Sequence, residues 1–168
     1  LYVHVPFCKA KCTYCDFYSI IGRENSIPEY LKSILKEIEQ KTRELDLSGH
    51  YLDTIFFGGG TPNLLEPNHL RQLLDMLLGL TQAGNEMEIG MEINPGEASL
   101  KNLIAYKAQG INRVSIGMQS FQPHLLSFMS RIHSAEKSFS TYDDVRKAGF
   151  QNVSGDLIFA VPGQTRRS

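Results

Sequence analysis

The sequence predicts an α/β fold in which about five parallel βα units form an incomplete (β/α) barrel. The first observation is an alternation of strand-like runs with apolar patterns of helical period along the whole chain. The second is that connections of this kind, a strand followed by a helix, build parallel sheets. The strand candidates lie at 1–5, 52–57, 87–94, 112–118 and 152–159.

Length and composition predict a single domain. The chain has 168 residues, of which 42% are hydrophobic, enough to bury one core of ordinary size. Its 17 Lys and Arg against 18 Asp and Glu give a charge of -1 without a basic block, which argues against a nucleic-acid partner. No apolar stretch approaches the roughly 18 residues of a membrane span and no export signal is present, so we expect a cytoplasmic protein. Because Leu1 replaces Met and the chain ends just after a strand, we interpret 1–168 as a truncated core domain.

Capping residues and glycines delimit the predicted helices. Ser26 and Glu29 have the spacing of a capping box at the start of the first helix. Serines are also favoured N-caps elsewhere, and glycine is favoured just after a helix end. Two stretches, 17–26 and 120–133, follow no regular pattern. The remaining helices are predicted to start near Pro67, Ser99 and Ser134, and the last two to stop at Gly110 and Gly149.

The strands alternate polar and apolar residues, although buried parallel strands are normally apolar on both faces. Successive side chains point to opposite faces, so one face suits a layer of helices and the other suits a ligand cavity. We therefore interpret the polar face as the inside of an open barrel, with an open sheet that has one solvated face as the alternative. The residues of the polar face include Tyr2, His4, Gly90, Glu92, Asn94, Ser115, Gly117, Gln119, Ser154, Asp156 and Ile158.

All three cysteines of the chain lie within eight residues, as Cys8-x3-Cys12-x2-Cys15 directly after the first strand. An odd, compact set of this kind is typical of metal or redox chemistry rather than of a disulfide framework. A structural zinc ion takes four protein ligands, whereas a 4Fe–4S cluster held by three thiolates keeps one iron open to substrate. We predict such a cluster, with structural zinc and buried thiols without a metal as alternatives.

A glycine-rich loop, 58–62 (GGGTP), follows the second strand. Glycines let backbone groups approach a ligand closely, although a flexible turn explains the run equally well. The loop lies at the carboxyl end of a strand, where barrels of this kind assemble their active sites. This position favours a role in ligand binding.

Polar residues also lie at the ends of the last three strands: Glu92, Gln119 and Asp156. A single carboxylate at such a place is most simply one that backbone donors satisfy. Here both carboxylates lie on the predicted interior face, where an unpartnered charge is costly. A ligand with hydroxyl or cationic groups would supply the partner, so we expect these residues to line a ligand site.

Together these motifs resemble the radical S-adenosylmethionine (SAM) proteins, in particular the oxygen-independent coproporphyrinogen III oxidase family. The resemblance covers nearly the whole chain. It implies that Cys8, Cys12 and Cys15 hold a 4Fe–4S cluster whose open iron is chelated by the methionine part of SAM. Besides the cysteines and the GGGTP loop, the matching segments are 2–8 (YVHVPFC), 92–95 (EINP), 117–121 (GMQSF), 131–134 (RIHS) and 156–158 (DLI).

The same resemblance implies the residues that bind SAM. Gly60 and Thr61 would lie near its amine, and Ile158 along its adenine. An electron donor protein would reduce the cluster, and cleavage of SAM would give a 5′-deoxyadenosyl radical that abstracts hydrogen. The other implied SAM-binding residues are Tyr2, Tyr14, Gly59, Glu92, Gln119, Arg131 and Asp156.

One position departs from the pattern of the oxidases. They carry a fourth cysteine two residues after the third, where this chain has Phe17. This departure resembles the HemW-type branch of heme chaperones, so we expect a heme-trafficking protein with heme as a further ligand. The alternatives are an oxidase that acts on a porphyrinogen and a heme- and cluster-binding module that does not cleave SAM. A tRNA-modifying enzyme would bring a basic appendage, of which a charge of -1 gives no sign.

Overall fold

The computed structural model describes residues 1–45, 47, 50–80 and 82–165, in which strands alternate with helices. Single 3-10 turns at Glu24–Ser26 and Pro62–Leu64 precede the first and second helices. The strands are β1 (Tyr2–Val5), β2 (Phe7–Cys8), β3 (Ile20–Ile21), β4 (Tyr51–Gly59), β5 (Gln82–Ile93), β6 (Arg113–Gln119) and β7 (Asn152–Leu157). The helices are α1 (Ile27–Glu44), α2 (Pro67–Leu78), α3 (Leu100–Ala108), α4 (Pro123–Phe128) and α5 (Ala135–Lys147).

Five strands form one parallel sheet in the order β1-β4-β5-β6-β7. This order follows the chain, and helices connect the successive strands. Within the described ranges β1 and β7 do not pair with each other, so the sheet stays open. The predicted α/β class and the incomplete parallel barrel are thereby confirmed. No helix in the described ranges is both long and apolar enough to cross a membrane.

The two stretches without a regular pattern contain short elements. Ile20–Ile21 forms β3, which pairs in parallel with β2 beside the first cysteine. The stretch 120–133 contains the short helix α4. The last strand ends at Leu157, before the predicted end at residue 159. The elements β3 and α4 are too short to produce a periodic signal, which explains why the pattern did not predict them.

Two of the three predicted serine caps form hydrogen bonds. Ser99 Oγ accepts from the N–H of Asn102 at 3.1 Å, and Ser134 Oγ accepts from Lys137 at 3.3 Å. Ser26 differs, because it ends a 3-10 turn in a helical backbone conformation (φ -87°, ψ -1°) and makes no capping hydrogen bond. An N-cap side chain needs a non-helical backbone to reach back, so the predicted capping box is wrong at this position.

The two faces of the sheet differ as the alternation predicts. The apolar face, with Val5, Phe57 and Ile116 fully buried, forms one core with side chains of α1, α2, α3 and α5. On the other face, a Cβ added to Gly90 would lie 2.7 Å from the ring of Phe56, so only glycine fits there. The helices therefore cover the apolar face, and the polar face is left for the cavity described below.

Substitution of Phe57 tests whether the hydrophobic core is centred on this sheet. We expect Phe57→Ala to lower the free energy of unfolding by about 3–5 kcal/mol, because it removes a large apolar group and leaves a cavity. The matched control Phe128→Ala, at a side chain that is 53% exposed, should change it by about 0.5 kcal/mol or less. Chemical denaturation of both variants measures the difference, and equal losses would contradict this account of the core.

Candidate functional site

A cavity of about 270 Å³ opens at the carboxyl ends of the sheet strands. The cysteine loop forms one wall, and the polar face of the sheet forms the other. Eleven of the thirteen residues singled out from the sequence line this cavity: Cys8, Cys12, Tyr14, Cys15, Gly59, Gly60, Thr61, Glu92, Gln119, Arg131 and Asp156.

The cysteine loop is held at its base and at one point near its middle. At its base, the N–H of Ile20 donates to Pro6 O at 2.8 Å, and β2 pairs with β3. Farther along, Thr13 Oγ1 donates to Phe128 O at 3.0 Å, which attaches the loop to α4. The N–H of Cys15 donates to Cys12 O at 3.2 Å, so a tight turn brings the last two cysteines together. The loop therefore presents three cysteines on one wall with little regular secondary structure.

The three thiols are free, and their surroundings differ. Thr61 Oγ1 lies 3.6 Å from Cys8 Sγ, and Arg131 Nη1 lies 3.4 Å from Cys12 Sγ. Burial raises the pKa of the Cys8 thiol above its ordinary value. Because iron binds the thiolate, metal binding at Cys8 has to release a proton.

The glycine loop packs directly against the first cysteine. The N–H of Gly60 donates to Val5 O at 2.8 Å. A Cβ at Gly60 would lie 2.6 Å from Phe7 O and 2.9 Å from Cys8 Sγ, and Gly59 has φ +112°. The glycines are thus required by close packing and backbone conformation, which favours a built cavity wall over a flexible turn.

Glu92 faces the glycine loop from the end of β5. Its Oε2 accepts from the N–H of Gly59 at 3.3 Å. Burial and the nearby carboxylate of Asp156 raise the pKa of Glu92, against the opposing effects of the Gly59 hydrogen bond and of His4. The carboxylate therefore lacks a strong partner within the protein and is suited to bind a cationic or donor group of a ligand.

Asp156 is oriented by Ser115 of the neighbouring strand β6, which in turn accepts a hydrogen bond from Ser154 of β7. The hydroxyl of Ser115 donates to Asp156 Oδ2 at 2.8 Å, and Ser154 Oγ donates to Ser115 Oγ at 3.0 Å. Gln119 ends β6 with φ +63°, and its backbone oxygen accepts from the N–H of Ile158 at 2.9 Å. The ends of β6 and β7 therefore present a carboxylate and an amide to the same cavity.

Arg131 connects the two walls. Its Nη2 donates to Asn94 Oδ1 at 2.7 Å and to Gly117 O at 2.8 Å, whereas Nη1 lies 3.4 Å from both Cys12 Sγ and Tyr14 Oη. Burial raises the pKa of Tyr14 to about 12, so its hydroxyl stays protonated at neutral pH. The buried Arg131 Nε has no hydrogen-bond partner in the described part of the chain.

Comparison with protein families shows which family this chain belongs to. Residues 2–168 match the model of the radical SAM superfamily. The chain belongs to the radical SAM superfamily. Membership implies, for the superfamily in general, a 4Fe–4S cluster and SAM as cofactors.

Curated heme chaperones and one oxidase structure are similar to this chain. HemW of Bacillus subtilis is 37% identical, and HemW of Escherichia coli 33% identical, each over 98% of this chain and 43% of the relative. The structure of coproporphyrinogen III oxidase (HemN) from Escherichia coli, described as a radical SAM enzyme, matches with a TM-score of 0.89 and 31% identity, over 99% of this chain and 38% of that chain. The chain thus spans less than half the length of these proteins.

The residues of this radical SAM chain fit both implied cofactors. Three free cysteines on one wall are the donor set that a 4Fe–4S cluster takes. The buried Arg131 Nε and Glu97 Oε1 belong to residues that line the same cavity, and neither atom has a hydrogen-bond partner in the part of the chain described. Within the same residues, no three His, Cys, Asp or Glu side chains surround a site for a single metal ion. The individual ligand roles remain predictions.

Two of the predicted SAM-binding residues lie outside the cavity. Tyr2 Oη is 3.1 Å from His4 Nδ1, and the Tyr2 ring stacks on Phe56 with centroids 6.4 Å apart. Ile158 packs against a small apolar cluster that includes residues of α4. Their contacts with SAM remain predictions that this geometry does not support directly.

Other residues that line the cavity, or that contact a lining residue, were missed as site candidates from the sequence. Asn94 Nδ2 donates to Thr61 Oγ1 at 2.9 Å, and Ser115 orients Asp156. Lys9, Glu97 and His133 also line the cavity, and burial lowers the pKa of His133. The alternation of the strands contained a signal for Asn94 and Ser115, because both lie on the polar face. The loop residues had no such signal.

The raised pKa of Glu92 predicts how stability depends on pH. The folded protein binds this proton more tightly than the unfolded chain, so the contribution of Glu92 to stability falls as pH rises from about 4.5 through the folded-state pKa. Glu92→Gln keeps the shape and an acceptor oxygen without the charge. We expect it to be more stable than the wild type at neutral pH and equal to it below about pH 4. Thermal unfolding of the cofactor-free protein across this range measures the effect.

Glu136→Gln is a matched control, for which we expect a stability change of the opposite sign at neutral pH. A hydrogen bond from Ser134 lowers the pKa of Glu136, which is fully exposed. Its contribution is present above the unfolded-state pKa and is lost as pH falls through the folded-state value, so Glu136→Gln should be less stable than the wild type at neutral pH. A loss of stability in Glu92→Gln at neutral pH would contradict the assignment of an underpartnered carboxylate.

Proposed function

We propose that this chain is the cofactor-binding core of a radical SAM protein of the heme chaperone type. In this proposal Cys8, Cys12 and Cys15 hold a 4Fe–4S cluster, and SAM binds in the adjoining cavity. The observation that carries the proposal is that three free cysteines share one cavity with the polar ends of several sheet strands. A cluster with three protein ligands leaves one iron for a ligand bound to the opposite wall.

The cavity residues have chemically distinct parts in this proposal. Glu92 and the loop from Gly59 to Thr61 would hold the amine of SAM, since they offer a carboxylate, a hydroxyl and backbone groups. Asp156, oriented by Ser115, would accept hydrogen bonds from ribose hydroxyls. When bound, the cluster would supply the electron that cleaves the sulfonium. The remaining proposed SAM-binding residues are Tyr2, Tyr14, Gln119, Arg131 and Ile158.

Arg131 and Tyr14 would position the cysteine loop around the bound cofactors. The guanidinium is anchored to the ends of β5 and β6 by two short hydrogen bonds, which leaves Nη1 directed at Cys12. Closure of the walls around SAM would exclude water from the reacting groups. The chain itself would therefore bind, orient and shield, and the cofactors would supply the redox chemistry.

Phe17 supports the heme chaperone over the oxidase. Phe17 lines the cavity and is 59% exposed. An aromatic ring can pack against a ligand but adds no fourth thiolate. The curated relatives named HemW match over 98% of this chain. Heme would thus be the further ligand, delivered to an acceptor protein.

The proposal implies a partner and a compartment. Cleavage of SAM requires an electron from outside the chain, so a reduced electron-transfer protein is the proposed donor. Free cysteines and an iron–sulfur cluster persist in a reducing compartment, which supports a cytoplasmic location. The formal net charge of -1 argues against a nucleic-acid partner.

Oxidation of a porphyrinogen is the second candidate function. It is favoured by the match to HemN, whose TM-score is 0.89 at 31% identity. A heme- and cluster-binding module that does not cleave SAM is a third. The three candidates share the cysteines and differ in their products, so product analysis separates them.

The ligand set predicts the outcome of reconstitution. We expect the full-length protein, treated anaerobically with iron and sulfide, to bind about one 4Fe–4S cluster, and each of Cys8→Ser, Cys12→Ser and Cys15→Ser to lose it. The control Ser140→Ala, on the exposed face of α5, should retain it. Iron and sulfide analysis with visible absorbance measures loading, and 5′-deoxyadenosine formed with a reductant measures cleavage. Stoichiometric zinc without uptake of iron would contradict the proposal.

Phe17 leads to a separate prediction about the substrate. We expect negligible conversion of coproporphyrinogen III to protoporphyrinogen by the full-length protein with cluster, SAM and reductant, because a fourth thiolate is absent. Heme binding, measured by the absorbance of the titrated complex, should persist. A four-cysteine oxidase serves as the positive control. Turnover comparable to that control would favour the oxidase instead.

A further inference from the structure

Glu97 places a carboxylate almost completely out of solvent on the wall of the cysteine cavity. Its side chain is only 5% exposed, and Oε1 has no hydrogen-bond partner in the described residues. The Nζ of Lys9 lies 3.6 Å away, which allows charge attraction but no hydrogen bond. A buried carboxylate with such weak compensation contributes little to stability. The pair is therefore better explained by what it does to the cavity.

Glu97 belongs to the connection from β5 to α3. The first part of this connection, residues 94–97 (the 94–97 loop), is fixed by several hydrogen bonds. The N–H of Asn94 donates to Asn63 Oδ1 at 3.0 Å, and the N–H of Gly96 donates to Thr141 Oγ1 at 3.0 Å. The N–H of Glu97 donates to Asn94 O at 3.2 Å, which closes the turn. The backbone that carries Glu97 is thus fixed by Asn63, by Thr141 of α5 and by the turn itself.

Lys9 belongs to the first half of the cysteine loop, between Cys8 and Cys12. The second half of that loop is attached to α4 through Thr13. Lys11 contacts only the loop itself among the bonds described, with Phe17 O at 2.8 Å and Ser19 Oγ at 2.9 Å. The ion pair of Lys9 with Glu97 therefore links the first half of the cysteine loop to the 94–97 loop.

We propose that Lys9 and Glu97 are positioning residues, which hold the cysteine loop against the 94–97 loop and balance the charge beside the cluster. The inference rests on the proposed cluster at Cys8, Cys12 and Cys15. Neither residue ligates iron in this proposal. They act through the loop and through the electric field at the cysteines.

The two charges have opposite effects on reduction of the cluster. Lys9→Met leaves the Glu97 carboxylate unpaired beside the cysteines, so an added electron is less favourable and the reduction potential falls. Glu97→Gln leaves the Lys9 ammonium unpaired, so the potential rises. Both variants remove the link, so both should lose iron to a chelator about tenfold faster, the scale on which outer partners of metal ligands act. If the two residues had a purely structural role, Lys9→Met and Glu97→Gln would not shift the reduction potential in opposite directions.

The experiment compares four variants of the full-length protein after anaerobic reconstitution. They are Lys9→Met, Glu97→Gln, the exchanged pair Lys9→Glu with Glu97→Lys, and the control Asp75→Asn. The control breaks the exposed Arg71–Asp75 ion pair of α2, whose atoms lie 3.0 Å apart. Iron loss to a chelator and anaerobic redox titration are the readouts, and thermal unfolding of the cofactor-free variants checks folding.

We expect faster iron loss in both single variants, potential shifts of opposite sign, wild-type behaviour of the control, and partial recovery of cluster retention in the exchanged pair. Potentials that shift in the same direction, or stay unchanged in both single variants, would overturn the inference. A wild-type protein that takes up no cluster would instead overturn the proposed function. The two failures are therefore distinguishable.

Discussion

The carboxyl ends of the parallel strands meet at one edge of the sheet, and the whole candidate site depends on that constraint. The strands run in chain order, so residues as distant in sequence as Glu92 and Asp156 face one cavity. Helices cover the apolar face of the sheet, which leaves the polar face for a ligand. Barrels of this architecture place their active sites at the same edge.

The cysteine loop contributes the second half of the site, and it has only the two-residue strands β2 and β3 as regular structure. Its position therefore depends on contacts with α4 and with the ends of the sheet strands. Arg131 provides the most extensive of these that the structure describes, because its guanidinium donates to two strand ends while facing Cys12. A lysine could not replace it, since a single ammonium lacks the planar set of donors.

Local chemistry explains which parts of the site could be predicted. The cysteine spacing, the GGG run and the polar alternation of the strands each appear in a short stretch of sequence. The roles of Ser115 and of the Lys9–Glu97 pair required knowledge of which strands and loops are adjacent. Tyr2 lies on the polar face of the sheet, but it forms a hydrogen bond with His4 outside the cavity. The alternation predicts the face on which a side chain lies, but not how far along the strand it is from the cavity.

The sequence by itself predicted the order of the five sheet strands and their connecting helices, the face that each strand buries, and the three cysteines as the candidate metal or redox site. These follow from periodicity and spacing, which are properties of neighbouring residues. Only the tertiary structure decided that Ser26 does not cap α1, that α4 anchors the cysteine loop, and that Glu97 lies buried beside Lys9. Such contacts join segments that are far apart in the chain or depend on the backbone conformation of a turn, and neither leaves a periodic signal.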